Sequence, residues 1–565
     1  MSKLKIPVSK YLCPLILLLA MLLAGKSCPQ IFYLNDDLMI RKILNGTYTG
    51  TPDGHAVYML YPLTGFLALL YKVLPAVPWF ELFLSGCIWC CMFLIAEKFH
   101  NKIAGMIFVL AAFLPFYVYR HYTVVAAVVA AAAVFLLCRS KERVSSVLLL
   151  WLAYMIRSQV GLLSLPFAAA ALVWQLLGAR QDWRQELKGI CKYAGILGMG
   201  LVLISGINHF YYSSEQWQSY FAYNEARTEL FDYTNFFSAE KYTENYEAFG
   251  MTREESQILT EYYTMLDGSI DSDRLQEIAG TITSGMWEEL ELKGIVENCL
   301  LKYYLEMRFN HKPYNVICVL AYIVLALCML LCRRWWELGF LGVFAAGRSA
   351  VWLFLIWKDR FPERVALSLY QIELLLLLAV GMTVLRELWE GVLARKVWIA
   401  RTGTCALVLI CLIVGRGQWQ ETRNKVFRFG YAQDTWQAVR DYCEENPQTT
   451  FFWDVFSLSE CYDTSDALKP TNVLMIGGWL TESPLAKERL EALGGKDAAE
   501  VLYSNDNVRL LANDTYDVTW LQEYFANRFG NCELVATNHI VGGGRTIIEY
   551  AVTVQPCASY HANGA

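Results

Sequence analysis

Residues 57–74, Val57-Tyr58-Met59-Leu60-Tyr61-Pro62-Leu63-Thr64-Gly65-Phe66-Leu67-Ala68-Leu69-Leu70-Tyr71-Lys72-Val73-Leu74, are apolar enough to pass for a membrane crossing. Whether they cross decides the topology of everything that follows. Eleven other apolar runs have close to the roughly 20 residues that a bilayer core requires: 11–33, 78–96, 103–119, 122–138, 145–159, 160–177, 190–207, 314–332, 335–357, 365–385 and 397–415. Cytoplasmic loops carry an excess of Lys and Arg. With the N-terminus (Lys3, Lys5, Lys10) inside and 57–74 not crossing, Lys98/Lys102, Arg139/Lys141/Arg143, Arg180/Arg184/Lys188, Arg333/Arg334 and Arg386/Arg395/Lys396 all fall inside. Counting 57–74 as a span exports every one of them. The segment therefore reads as a re-entrant or juxtamembrane helix on the outer side, with Pro62 in its first turn, where the missing N–H costs nothing.

Composition agrees with a polytopic membrane protein: 56% of the 565 residues are hydrophobic and only 18% charged. A net charge of -5 leaves no basic domain to neutralise a nucleic-acid backbone, so nucleic acid is excluded as a partner. Most of the 17 cysteines lie in apolar runs and read as small hydrophobes, Cys87-Ile-Trp-Cys90 included. No HExxH or His cluster marks a metal site. The expected architecture is mainly α: an N-terminal membrane module (1–207), an extracytoplasmic helical loop domain (208–312, 19 acidic and 8 basic residues), a second membrane module (313–415) and a small extracytoplasmic α/β domain (416–565). In the last, Gly542-Gly543-Gly544 reads as a hairpin turn rather than a phosphate loop.

The first outer loop (26–77) carries the chemistry. Asp36 and Asp37 open an amphipathic stretch just beyond the first apolar run. Ionised groups at a membrane face are costly unless they pair or work, so a paired acid there is a candidate site. Helix capping by Asn35 or Asp36, with Asp37 favoured by the helix dipole, is the competing reading. Basic groups expected at the same face are Arg120, His121, Arg157, Lys358, Arg360 and Arg364, an arrangement suited to holding phosphate oxygens; lipid-headgroup anchoring is the alternative for each. His55 and Tyr61 lie in the loop that follows the acid pair.

An N-terminal span, then Asn35-Asp36-Asp37, then Leu44-Asn45-Gly46-Thr47-Tyr48-Thr49-Gly50, then Tyr61-Pro62-Leu63-Thr64-Gly65 resembles the GT-C glycosyltransferases, protein O-mannosyltransferases and lipid A aminoarabinose transferases among them. Here Asp37 stands where mannosyltransferases have Glu, and Tyr61 where many relatives have His or Pro. The resemblance implies a helix bundle in the plasma membrane with its site on the outer face and a soluble C-terminal domain. It also implies transfer of a sugar from a polyprenyl-phosphate donor to a glycan, lipid or protein acceptor of the cell envelope. Asp36 or Asp37 would be the base, Arg120, His121, Arg157, Lys358, Arg360 and Arg364 the donor-phosphate groups, and His55 and Tyr61 substrate-loop residues. It leaves room for a divalent cation. A transporter or flippase of lipid-linked saccharide, using Glu373 and Arg348 inside the bundle, is the rival reading.

Overall fold

The computed structural model describes residues 9–32, 35–179, 182–233, 244–288, 292–358, 361–388, 397–428, 430–459, 472–530 and 532–554. They divide into two compact units. The first comprises Met1–Asn45, Pro52–Tyr211 and Leu292–Phe427. Its elements in chain order are α1 (Ser9–Ser27), β1 (Ile31–Phe32), α2 (Asn35–Leu44), α3 (Tyr61–Val73), α4 (Trp79–Ala96), α5 (Lys102–Val118), β2 (Tyr119–Arg120), α6 (Tyr122–Ser140), α7 (Arg143–Ile156), α8 (Ser158–Gly178) and α9 (Trp183–Tyr211). After α10 (Glu215–Thr228), α11 (Arg253–Thr260) and α12 (Ser272–Glu288) of the second unit, it resumes with α13 (Leu292–Arg308), α14 (Tyr314–Leu331), α15 (Trp335–Trp357), α16 (Glu363–Leu388) and α17 (Val397–Arg428).

This is an integral membrane protein: seven helices among the described residues are long and apolar enough to cross a bilayer, and three shorter ones are apolar. Every residue of α6 from Tyr122 to Cys138 is buried. Its run of alanines, Ala126-Ala127 and Ala130 to Ala133, gives it a slim profile, so α4, α7, α8 and α16 all pack against it. Small residues permit such close approach where apolar solvent offers no hydrophobic drive. Peripheral helices turn large apolar side chains outward, as α9 does with Met199, Val202, Leu203 and Phe210. In water such a surface would aggregate; in lipid it is solvated.

The ambiguous stretch 57–74 forms α3, whose 13 residues span roughly 20 Å at 1.5 Å per residue, short of the hydrocarbon core. Pro62 sits in its first turn. Leu63, Leu67 and Tyr71 are buried while Phe66, Leu69 and Val73 are exposed, so only one face packs on protein.

The second unit comprises Gly46–Thr51, Tyr212–Glu291 and Arg428–Ala565. Its remaining elements are α18 (Gly430–Glu445), β3 (Thr450–Trp453), α19 (Val455–Ser459), β4 (Val473–Met475), α20 (Pro484–Ala492), α21 (Ala498–Ser504), β5 (Val508–Asn513), α22 (Thr519–Phe529), β6 (Cys532–Gly542) and β7 (Arg545–Val554). The sheet order is β4-β3-β5-β7-β6, parallel across β4, β3 and β5 and antiparallel beyond. Gly543 and Gly544, both at positive φ, close the β6–β7 hairpin, the turn geometry that matches strand twist.

The units divide the chain differently from the four segments read in the sequence. Tyr212–Glu291 belongs with the sheet, because Met265 N–H donates to the Ile476 carbonyl (2.9 Å) and the Tyr220 hydroxyl to the Trp479 carbonyl (2.7 Å). A Cβ at Gly477 would stand 2.0 Å from the Tyr262 carbonyl oxygen, so only glycine permits that approach. In contrast α13 belongs with the bundle, onto which Tyr303 and Met307 tie it through Arg348.

Candidate functional site

Two short strands assemble the site. β1 and β2 pair in parallel, Ile31 with Tyr119 and Phe32 with Arg120, bringing the chain beyond α1 alongside the chain beyond α5. The acid pair thereby starts α2 beside the start of α6. Arg41 fixes α2: its Nη1 donates to Glu81 Oε1 of α4 at 3.2 Å, and its guanidinium lies 5.4 Å from the Phe32 ring centre.

A buried helix start leaves N–H groups that must find acceptors. At α6 they find two: Asp37 Oδ1 accepts from Tyr122 N–H (2.8 Å), and His121 Nδ1 accepts from Thr123 N–H (3.0 Å). Asp37 Oδ2 then lies 3.7 Å from His121 Nδ1 and has no hydrogen-bond partner among the described residues. Burial, first of all, holds the Asp37 carboxyl well above the usual carboxylate range; the Tyr122 amide and the charges of Arg120 and Arg364 pull it back. His121 is pushed well below its ordinary value by burial and by Arg364 and Arg157, so its imidazole is neutral. Because Nδ1 accepts, the proton of that neutral ring sits on Nε2. Asp36 is half-buried, where Asp37 is fully buried.

Next to this turn is a cavity of about 200 Å³. Tyr119, His121 and Val124 line it from the β2–α6 turn, His311, Lys312 and Tyr314 from the start of α14, Glu363, Arg364 and Leu367 from the start of α16, and Glu421, Thr422 and Lys425 from α17. Three helix N-termini therefore face one space, each with the positive end of its dipole. Lys425 Nζ pairs with Glu363 Oε1 (3.1 Å) and Glu421 Oε1 (3.5 Å), and His311 Nε2 with Glu306 Oε2 (2.7 Å). Arg364 and Lys312 make no ion pair among the described residues. The cavity thus gathers Lys312, Arg364 and Lys425 with Glu363 and Glu421 beside three helix N-termini, the kind of groups that hold anions elsewhere.

Of the residues singled out in the sequence, His121 and Arg364 line this cavity, with Asp37 directly behind His121. Arg120 does not; its guanidinium donates to Gln30, to Ser85 Oγ (3.2 Å) and to the Glu81 carbonyl (3.2 Å), and so holds β2 to α4. Arg157 likewise donates to the Tyr122 hydroxyl (2.9 Å) and to Gln159 (2.8 Å), bracing the same turn from the α7–α8 junction. Lys358 is exposed beside the Trp357 ring and is not among the lining residues. Arg360 lies outside the described residues. His55 and Tyr61 form a separate cluster: His55 Nδ1 bonds Asp53 Oδ1 at 2.7 Å, and Tyr61 stacks on Tyr211 with ring centres 3.6 Å apart. Sequence reasoning missed Lys312, His311 and Lys425. The signal available was the position of the first two just before the apolar run 314–332; Lys425, ten residues beyond 397–415, carried none. Among the described residues no group of three His, Cys, Asp or Glu stands together as a metal-ligand set.

No family model matches the chain, and no curated protein matches it. Among solved structures it is similar to a crystal structure of ArnT from Cupriavidus metallidurans bound to undecaprenyl phosphate, with a TM-score of 0.37 and 13% identity over 95% of this chain and 97% of that one. At that score the two backbones superpose only loosely.

Proposed function

We propose that this protein is a GT-C type glycosyltransferase that moves a sugar from a polyprenyl-phosphate donor to a cell-envelope acceptor on the outer face of the plasma membrane. The observation that carries the reading is the meeting, in one cavity, of Lys312, Arg364, Lys425 and three helix N-termini beside an acid pair. In the transfer, an acceptor hydroxyl oxygen bonds to the anomeric carbon as that carbon's bond to the donor phosphate breaks. The electron pair leaves with the phosphate and the hydroxyl proton goes to a carboxylate. Arg364, Lys312 and Lys425 stabilise the charge that grows on the phosphate, an interaction strongest in the transition state. Asp36, the more accessible acid, takes the proton. Asp37 and Arg157 hold the turn that presents His121, whose Nε2–H is a donor toward the anion.

The rival transporter reading needs intramembrane charges free to engage cargo. Arg348 Nε instead donates to both carboxylate oxygens of Glu373 at 2.8 and 2.9 Å, with both residues buried. That mutual satisfaction favours the enzyme. The test is the full chain in proteoliposomes with a polyprenyl-phosphate sugar donor and envelope acceptors, following release of polyprenyl phosphate. Release that depends on acceptor and is lost in Asp36→Asn supports transfer. Sugar crossing the bilayer with its lipid phosphate intact would falsify it, and activity restored only by added Mg²⁺ or Mn²⁺ would place a cation at the acid pair.

A further inference from the structure

Arg348 joins four helices. Besides its two bonds to Glu373 of α16, its Nη1 donates to the Tyr303 hydroxyl (3.1 Å) and to the Met307 sulfur (2.9 Å) of α13. Glu373 also accepts from the Tyr322 hydroxyl of α14 at 2.9 Å. On α15 itself the guanidinium lies 4.5 Å from the Trp352 ring centre. A buried ion pair is a poor source of stability, since well-packed apolar residues in its place are often as good or better; its best-attested use is to specify register.

The register set here reaches the cavity by two routes. α13 ends one residue beyond Met307, and the chain runs directly on to His311 and Lys312. α16 runs from Glu373 back to Arg364, nine residues or roughly 13 Å of helix. Tyr370 links the two, its ring centre 5.9 Å from the Arg348 guanidinium, 6.2 Å from His311 and 6.3 Å from Tyr314.

We infer that the Arg348–Glu373 pair is a positioning device for the anion site: by clamping α13 to α16 it fixes Lys312 relative to Arg364, and it sets polyprenyl-phosphate affinity without touching the lipid. This rests on the donor reading above for its ligand, though not for its geometry. Two variants of the full chain in nanodiscs test it. Arg348→Lys keeps the charge but loses the fork that holds Glu373 and α13 together. The double change Arg348→Met with Glu373→Leu removes the charges as a pair and keeps an apolar bundle interior, which guards against misfolding.

In both variants, amide hydrogen exchange over 309–312 should rise about tenfold or more, the equivalent of one lost charge-assisted hydrogen bond. Protection of α4 through α8 should be unchanged. Retention of polyprenyl phosphate should weaken by about the same factor, with donor KM raised and kcat held. Unchanged exchange at 309–312 overturns the inference. So does exchange rising evenly through α13 to α16, which would make the pair a plain stabiliser. If wild-type protein retains no polyprenyl phosphate, the donor reading fails by itself, and the exchange result still decides the positioning.

Discussion

Arg364→Gln separates the anion site from a lipid-anchoring role. Arg364 lies in the first turn of α16, half-buried, and lines the cavity without an ion-pair partner among the described residues. Its removal therefore strands no buried acid, and protein yield should be unaffected. A charge-assisted hydrogen bond to phosphate contributes about 1.5–3 kcal/mol, so donor affinity should fall about 10- to 150-fold. A second effect is distinct in kind. The Arg364 charge is one of those that pull the Asp37 carboxyl down against burial, and Gln removes it. The Asp37 carboxyl then rises further above the ordinary carboxylate range. If transfer needs the acid pair ionised, activity is lost as pH falls through that raised value, so the acid limb of the rate profile should move to higher pH. Stability runs the other way. A carboxyl whose folded value is raised contributes stability that is full below its unfolded value and lost as pH rises through the folded one. Acid-side inactivation is therefore not unfolding driven by Asp37. The assay is release of polyprenyl phosphate by reconstituted protein between pH 5 and 9, with lipid retention measured in parallel. Donor affinity within about twofold of wild type, together with an unmoved acid limb, would reduce Arg364 to an interfacial anchor.

Asp36→Asn should lower transfer by about 10² to 10⁴ with normal protein yield, since Asn caps a helix as well as Asp but accepts no proton; near-normal turnover returns the residue to a capping role. At Asp37, Asn keeps the acceptor for Tyr122 N–H, whereas Ala strands a buried donor at about 1–3 kcal/mol; equal thermal stability of the two variants would mean that this bond contributes little. In the second unit, burial raises the Asp454 carboxyl to about 6. Its folded value exceeds its unfolded one, so stability is lost as pH rises through 6. Asp454→Asn should then slow hydrogen exchange of β3 and β5 at pH 8, by an amount on the order of 3 kcal/mol, and change little at pH 4; a pH-independent effect refutes the assignment. A reporter enzyme fused after residue 554 should be active only outside the cytoplasm.

The membrane half of the fold was legible because its code is coarse. Apolar runs at 122–138, 160–177 and 335–357 match α6, α8 and α15 to within a few residues. In the C-terminal region the α/β character and the hairpin turn at Gly542-Gly543-Gly544 are as read, while β5 and β6 went unseen. β5 is broken by Arg509 and ends on Asn513, and β6 has only a weakly apolar face; its pairing with β7 defines it. The site was half legible. Asp37, His121 and Arg364 do converge, but Arg120 and Arg157 are engaged by Gln30, Ser85, Tyr122 and Gln159, and no local pattern predicts such partners. Lys312 and Lys425 were missed because one follows a helix that reads as part of a soluble loop, and the other lies on a long helix beyond its apolar stretch.

The parallel pairing of Ile31-Phe32 with Tyr119-Arg120 also acts as a parity check on the threading. Segments that share a strand pair lie on one side of the bilayer, so the chain between them crosses an even number of times. With α4 and α5 both crossing, the count is already even, and α3 as a third crossing is excluded by the pairing itself, independently of any count of lysines. The same arithmetic applies at one wall of the cavity. Two helices, α14 and α15, separate Lys312 from Arg364, and both are long and apolar enough to cross a bilayer. That wall of the cavity is an even return to one side of the bilayer, and deleting either span would part Lys312 from Arg364.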